Sequence, residues 1–212
     1  MGGMDADLPA TDSPSPGPRK RPRPGERRTQ ILQVLAGMLE QPGADRITTA
    51  ALAARLALSE AALYRHFASK AQMFEALIDF IETSVFGLVN QIADNPNPLP
   101  PPGKAARIAS VILQFGEKNP GMTRLMVGDA LVYENERLVA RMNQFFDRIE
   151  SSLRQVLRAA AEAQGSLTPT VQANALASVW VSFILGRLQR YARSGFKRLP
   201  TEQLDASLKA IG

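Results

Sequence analysis

The sequence predicts an all-α protein with a small N-terminal DNA-binding domain and a larger helical C-terminal domain. Apolar residues recur at helical spacing along most of the chain, and no segment shows the sustained alternation of a strand. Basic residues are concentrated near the N-terminus: residues 19–70 hold ten against four acidic residues, whereas the rest of the chain holds fifteen against sixteen. We therefore expect the N-terminal part to bind a polyanion such as nucleic acid.

The composition argues against catalysis and against a bound metal or cofactor. The chain has no cysteine, and His66 is its single histidine, which excludes disulfides and thiol nucleophiles and disfavours a metal site. It also lacks a phosphate-binding glycine loop and a credible catalytic triad. The N-terminus has no signal-peptide core and no long apolar run, so we predict a cytoplasmic protein with no membrane partner.

Residues 1–25 are predicted to form a disordered arm. Six of the 15 prolines lie before residue 25, and a basic run, RKRPRPGERR, spans 19–28. Two interpretations remain open for this arm: it reaches along the minor groove or the phosphates of DNA, or it is a flexible solvated leader.

The first predicted helix begins near Arg27 and has one apolar face. The sequence QPGAD, residues 41–45, ends it. Thr48 is placed as the N-cap of a short second helix, and Ser59 as the N-cap of a third that runs from Glu60 to about His66. The apolar face of the first helix consists of Ile31, Leu35, Met38 and Leu39.

Two short helices joined by a tight turn in the most basic part of the chain predict a helix-turn-helix, which assigns residues 26–70 to DNA binding. Leu63 and Phe67, four residues apart, are expected to anchor the second short helix in the core. Small residues at 61 and 62 allow close approach to the major groove. Arg65 is left with two roles, guanine recognition or phosphate binding. The expected DNA-contacting residues are Thr48, Ser59, Glu60, Ala61, Ala62, Tyr64, Arg65, His66 and Lys70.

Residues 71–212 are predicted to form a helical domain for dimerisation and partner binding. Ser69 and Gln72 have capping-box spacing and begin a fourth helix that continues to about Asp94, where NPNPLPPPG breaks it. Further helical patterns span 104–118, 121–131, 133–164 and 170–194, with a short one after Pro200.

The segment 173–188 is apolar on nearly every side. It is either a central core helix or half of a helix bundle shared with a second copy, with 142–157 as its partner. The second interpretation predicts a homodimer interface of Phe145, Ile149, Trp180, Phe183, Ile184 and Leu188.

Residues 47–82, ITTAALAARLALSEAALYRHFASKAQMFEALIDFIE, resemble the N-terminal domain of TetR-family regulators. In that family a Tyr-x-x-Phe ends the recognition helix and a Ser-Lys begins the fourth helix. FGEKNPGMTRLMVGDAL (115–131) and RMNQFFDRIESSLRQVLR (141–158) are further similar to the nucleoid occlusion branch of the family. The likeness extends from about residue 27 to about 205.

This resemblance implies a nine-helix homodimer that binds a palindromic chromosomal site and associates with the nucleoid. It also implies capture of the C-terminal tail of the tubulin-like division protein FtsZ, whose assembly such proteins antagonise over the nucleoid. The tail-binding groove of the family lies between the fourth and fifth helices and matches Phe80, Leu88, Val111, Gln114, Lys118 and Asn119.

The chain departs from the family pattern at four of its positions. Leu88 and Lys118 stand where arginine is usual, and Gln114 and Ala57 where glycine is usual. Loss of two arginines weakens bidentate capture of an acidic tail. The alternative function is that of a ligand-responsive TetR-family repressor, which requires a roomy pocket with convergent polar groups between the fourth and eighth helices.

Overall fold

The computed structural model describes residues 25–41, 46–97 and 103–211. The described residues form nine α-helices and one 3-10 turn, with no strand among them, which confirms the predicted all-α fold. Helix positions agree with the sequence patterns, except that the pattern at 121–131 divides into a short helix and the 3-10 turn Asp129–Leu131. The α-helices are α1 Glu26–Leu39, α2 Thr49–Arg55, α3 Glu60–Tyr64, α4 Lys70–Ala93, α5 Gly103–Lys118, α6 Pro120–Met126, α7 Glu136–Ala163, α8 Pro169–Arg193 and α9 Leu204–Ile211.

Helices α1 to α3 form a small N-terminal unit that contacts the rest of the protein through α1. The α1 residues predicted to face inward are all buried. Helix α6 packs on α1 so closely that a Cβ at Gly121 would lie 2.3 Å from the backbone oxygen of Ala36. Only glycine permits that approach, so the DNA-binding unit is held against the C-terminal domain by direct backbone packing.

Helices α4 and α7 are joined by a row of ion pairs along their length. Arg137 of α7 lies 2.7 Å from the carboxylate of Glu75. One turn further, Arg141 contacts Glu82 at 2.8 Å and Asp79 at 2.5 Å. The hydrogen bond to Glu82 is the largest of the effects that raise the pKa of the Arg141 guanidinium. These pairs fix the position of α4, which connects the two domains, on the C-terminal scaffold.

The longest helices, α7 and α8, pack along each other and surround an aromatic core. The ring of Phe145 contacts Phe86 and Phe146 edge-on, with centroid distances of 5.4 and 5.0 Å. Trp180 is 1% exposed and its ring lies 6.3 Å from that of Phe183. Of the two interpretations of segment 173–188, the structure favours the intramolecular core helix.

This packing corrects the predicted dimer interface. Five of its six residues are fully buried within a single chain, because the same apolar positions that suit a shared bundle also fill the space between α7 and α8; Phe183 is only half-buried. The five buried residues are Phe145, Ile149, Trp180, Ile184 and Leu188. A second copy must therefore contact a different face of these helices.

Some sequence predictions concern residues outside the described ranges. The arm at 1–25 lies outside them apart from Gly25, as do residues 42–45 and 98–102 of the two predicted helix breaks. In the described part, α4 and α8 are long and apolar enough to cross a membrane by length and composition alone, a test that core helices of soluble proteins also pass. The expectation that no such run exists was therefore wrong on composition.

Candidate nucleic-acid interface

The two short helices begin with the N-caps that the sequence predicts. The Thr48 hydroxyl accepts a hydrogen bond from the Ala51 amide at 3.1 Å, and the Ser59 hydroxyl accepts one from Ala62 at 3.1 Å. Each hydroxyl still has its own proton to donate. Both residues are exposed, so each is free to hold a helix terminus and a phosphate oxygen at once.

The turn between α2 and α3 is closed by a strained residue. Ala57 has a φ of 52°, in the left-handed region that favours glycine. The amide of Leu58 donates to the carbonyl of Ala53 at 2.9 Å, which reverses the chain within two residues of the end of α2. The positive φ accounts for the glycine that the family usually carries here.

Helix α3 is anchored on one side and exposed on the other. Leu63 and Phe67 are buried, as predicted. On the opposite side Ala61 and Arg65 are exposed, and Tyr64 is 44% exposed although it is large and aromatic. Exposed small and polar groups at the start of a short, anchored helix match the surface that a recognition helix presents to the major groove.

Two predicted contact residues also have structural roles. The Glu60 carboxylate accepts a hydrogen bond from the Thr49 hydroxyl at 2.6 Å, which ties α3 to the start of α2. His66 is only half-exposed, and its backbone carbonyl accepts from Arg28 at 2.6 Å. The Arg28 guanidinium also stacks 4.0 Å from the centre of the Phe67 ring. Sequence reasoning missed Arg28 and Thr49, because their partners lie 38 and 11 residues away.

Lys70 is occupied within the protein. Its ammonium donates to the carboxylate of Glu134 in the segment before α7, and it lies 5.5 Å from the centre of the Phe74 ring. In the same segment the exposed ring of Tyr133 lies 5.7 Å from the guanidinium of Arg46. The segment therefore contacts two cations of the DNA-binding unit, and the predicted Lys70–phosphate contact requires Lys70 to leave Glu134.

A second candidate surface lies between α4 and α5. Phe80 and Leu88, two turns apart on α4, are 50% and 45% exposed, and the Phe80 ring lies 6.1 Å from that of Phe115 on α5. Gln114 and Lys118 are exposed beside them. Two positions predicted for this groove are less accessible: Val111 is buried, and Asn119 donates from its amide to the Phe115 carbonyl at 2.8 Å. The surface is thus a shallow apolar strip with one cationic end.

The interior near these helices is filled, which disfavours a polar effector. Ser110 and Thr123 are the buried polar residues of the described core, and each hydroxyl donates to a backbone carbonyl at 2.9 Å. Within the described residues no buried side-chain nitrogen or oxygen lacks a partner. Polar groups awaiting a ligand would be left unpaired in its absence. These observations do not support the repressor with a small-molecule pocket.

The fold and the helix-turn-helix define a DNA-binding regulator of the TetR type. Residues 31–77 match the family described as bacterial regulatory proteins, tetR family, and residues 104–211 match the SlmA-like, tetracyclin repressor-like C-terminal domain. The MbdR regulator from Azoarcus sp. CIB has the same fold, with a TM-score of 0.71, 19% identity, and coverage of 87% of this chain and 96% of that one. PfmR from Thermus thermophilus gives a TM-score of 0.67 at 19% identity, covering 87% and 94%.

Curated relatives specify the branch of the family. The chain is 49% identical to the nucleoid occlusion factors SlmA of Photobacterium profundum and of Vibrio cholerae, in each case over 84% of this chain and 90% of the relative. It is 50% identical to that of Colwellia psychrerythraea, over 82% and 87%. The protein therefore belongs to the SlmA family of nucleoid occlusion factors, which are DNA-binding regulators and not enzymes. Such a regulator acts on DNA in the cytoplasm, where α4 and α8 are core helices of the fold.

Proposed function

We propose that this protein is a DNA-dependent inhibitor of cell division. Bound as a homodimer to palindromic sites on the nucleoid, it captures the C-terminal tail of FtsZ and antagonises FtsZ assembly there. The observation that carries the proposal is the 49% identity to nucleoid occlusion factors SlmA, which extends over both domains. The exposed recognition helix and the apolar strip on α4 each supply a surface for one of the two partners.

In the DNA complex, α3 enters the major groove with its N-terminal residues towards the bases. Ala61 and Ala62 allow close approach and offer methyl contacts to thymine, while Arg65 reads guanine or binds phosphate. Phosphate contacts come from Thr48, Ser59, Tyr64 and His66, and from Lys70 once it leaves Glu134. Glu60 acts mainly by holding α3 against α2, as its bond to Thr49 indicates.

We place the dimer contact on the exposed face of α8. Small and apolar residues repeat there at helical spacing, with Val171 68% exposed and Val179 50% exposed. Small side chains let two helices approach closely around a two-fold axis. The resulting dimer would set two recognition helices against the two halves of a palindrome. The face consists of Val171, Ala175, Ser178, Val179, Ser182 and Gly186.

The FtsZ tail is proposed to lie along the α4–α5 strip. Phe80, Leu88 and the edge of Val111 supply the apolar contact, and Lys118 and the polar side chains of Gln114 and Asn119 supply the end that receives a carboxylate. Lysine is a single-point donor where a bidentate arginine is usual, so the contact is weaker than in the family pattern. Binding to clustered DNA sites offsets this weakness through effective concentration.

The proposal is tested by following GTP-driven FtsZ assembly by sedimentation. We expect the protein to reduce the pelleted FtsZ when a palindromic family-type duplex is present, and to have little effect with a scrambled duplex. Lys118→Glu should abolish the reduction while retaining DNA binding, and Arg107→Glu on the same helix serves as the charge-matched control. Full assembly at saturating protein and DNA would contradict the proposal.

A further inference from the structure

A basic cleft lies between the C-terminal end of α8 and α9, and it shares no lining residue with the DNA-binding helices or the α4–α5 strip. It encloses about 710 Å³. Arg187 and Arg190 form one wall on α8, and Lys197 and Arg198 form the other on the segment that connects α8 to α9. Among the described residues that line it, Glu202 is the single carboxylate. The cleft is therefore a local concentration of positive charge.

The cationic wall on α8 is held in place before any ligand arrives. The Arg187 guanidinium donates to the backbone carbonyl of Glu202 at 2.6 Å and to the hydroxyl of Ser207 at 2.5 Å, and lies 5.0 Å from the centre of the Phe183 ring. Burial, and then the charge of Arg190, lower the pKa of Arg187. A guanidinium fixed near a second one gains when an anion binds between them.

The opposite wall is built on a strained backbone. Phe196 and Gln203, near its two ends, have φ values of 64° and 50°. The amides of Lys197 and Arg198 both donate to the Ser194 hydroxyl, at 3.1 and 2.9 Å, which fixes the direction in which these two residues leave the helix. Among the described non-glycine residues, the remaining positive φ belongs to the helix-turn-helix. Strained residues of this kind concentrate at functional sites.

We propose that this cleft binds an acidic peptide segment that carries an apolar side chain. Cations on two facing walls require several carboxylates, and arginine pairs recognise acidic motifs in this way. Leu199, 45% exposed at the same cleft, offers an apolar contact beside the charges. Single-stranded nucleic acid is bound on aromatic platforms, and none of the described lining residues is aromatic.

Glu202 acts as a placeholder for the peptide. Its carboxylate lies 3.6 Å from Arg190, and both side chains are substantially exposed, so the pair is weak and easily displaced. A carboxylate of the peptide would take its place on Arg190. The Glu202→Gln variant should therefore bind acidic peptide about twofold to threefold more tightly, since the competing charge is removed while the backbone carbonyl that holds Arg187 remains.

The test titrates the full chain into a short fluorescein-labelled peptide of glutamates around one leucine and follows anisotropy. We expect saturable binding that weakens at least about tenfold in Lys197→Glu/Arg198→Glu. The control Arg154→Glu/Arg158→Glu removes two exposed α7 cations that do not line the cleft and should bind as the unmodified chain does. Replacing the leucine of the peptide by glutamate should also weaken binding.

Two results would overturn the proposal. Equal loss in the cleft variant and the α7 control would show that the peptide responds to net charge alone. A larger loss of affinity for random duplex DNA in the cleft variant than in the control would assign the cleft to phosphates instead. Far-ultraviolet circular dichroism of both variants keeps misfolding from being read as loss of binding. FtsZ assembly plays no part in this measurement, so it stands or falls apart from the proposed function.

Discussion

Lys70, at the first position of the helix that leaves the DNA-binding unit, is hydrogen-bonded to Glu134, 64 residues further along the chain. The Glu134 side chain is only 10% exposed and that of Lys70 is 27% exposed, so water screens this pair less than a surface pair. Lys70 is also a residue that we expect at a DNA phosphate. The carboxylate of the C-terminal domain and the phosphate therefore compete for one ammonium.

The first prediction concerns this competition. Glu134→Gln should raise DNA affinity about threefold to tenfold at low salt, because Lys70 is released to the phosphate without first losing an ion pair. The dependence of log affinity on log salt should steepen by about 0.9, the contribution of one added phosphate contact. Anisotropy of a labelled palindromic duplex over a salt series measures both.

The neighbouring Glu136→Gln variant removes a charge from the same segment but from a residue with no described contact to Lys70, and it should leave the slope unchanged. An equal rise in affinity for the two variants would mean that overall charge, rather than the Lys70–Glu134 pair, governs binding.

The second prediction concerns the two hydroxyl N-caps. Thr48→Ala should abolish specific DNA binding and lower the free energy of unfolding by about 1 kcal/mol, since it removes a phosphate donor and a helix cap together. Thr48→Ser restores both hydroxyl functions and should recover most of the affinity. Duplex anisotropy and chemical denaturation measure the two effects separately. Tight binding by a folded Thr48→Ala protein would remove Thr48 from the interface.

The third prediction concerns Tyr64 on the exposed side of α3. Tyr64→Ala should abolish specific DNA binding, while light scattering after size exclusion still reports a dimer. Tyr64→Phe keeps the ring and loses the hydroxyl, so it separates packing from hydrogen bonding to phosphate. Undiminished specific affinity in Tyr64→Ala would contradict the orientation of α3 described above.

The fourth prediction concerns the turn of the helix-turn-helix. Ala57→Gly should stabilise the protein by about 0.5–1 kcal/mol, because relief of the left-handed strain exceeds the extra entropy that glycine loses on folding. Thermal unfolding monitored by circular dichroism tests this, with Ala54→Gly on the neighbouring helix as a control that should destabilise the protein. A lower midpoint for Ala57→Gly would show that the strain is compensated elsewhere.

How much the sequence could predict differs between the domains. Local signals, namely N-caps, apolar periodicity and breakers, predicted the helices, and the buried pair Leu63 and Phe67 was confirmed. The dimer residues went wrong because an all-round apolar helix looks the same whether it is buried in one chain or between two, as Trp180 shows. The Glu134 contact had no local signal at all, since side-chain pairs between distant helices depend on the tertiary fold.

The central claim, that the DNA-binding protein captures the FtsZ tail in the α4–α5 strip, is tested most directly by anisotropy of a labelled peptide from the host FtsZ C-terminus. The titration is made with and without a palindromic duplex, using the unmodified chain, Lys118→Glu and Leu88→Arg. The account predicts saturable binding that is weakened by Lys118→Glu and strengthened about threefold to tenfold by Leu88→Arg, which restores a bidentate donor. No binding by the unmodified chain or by Leu88→Arg, with the duplex bound tightly, would contradict it.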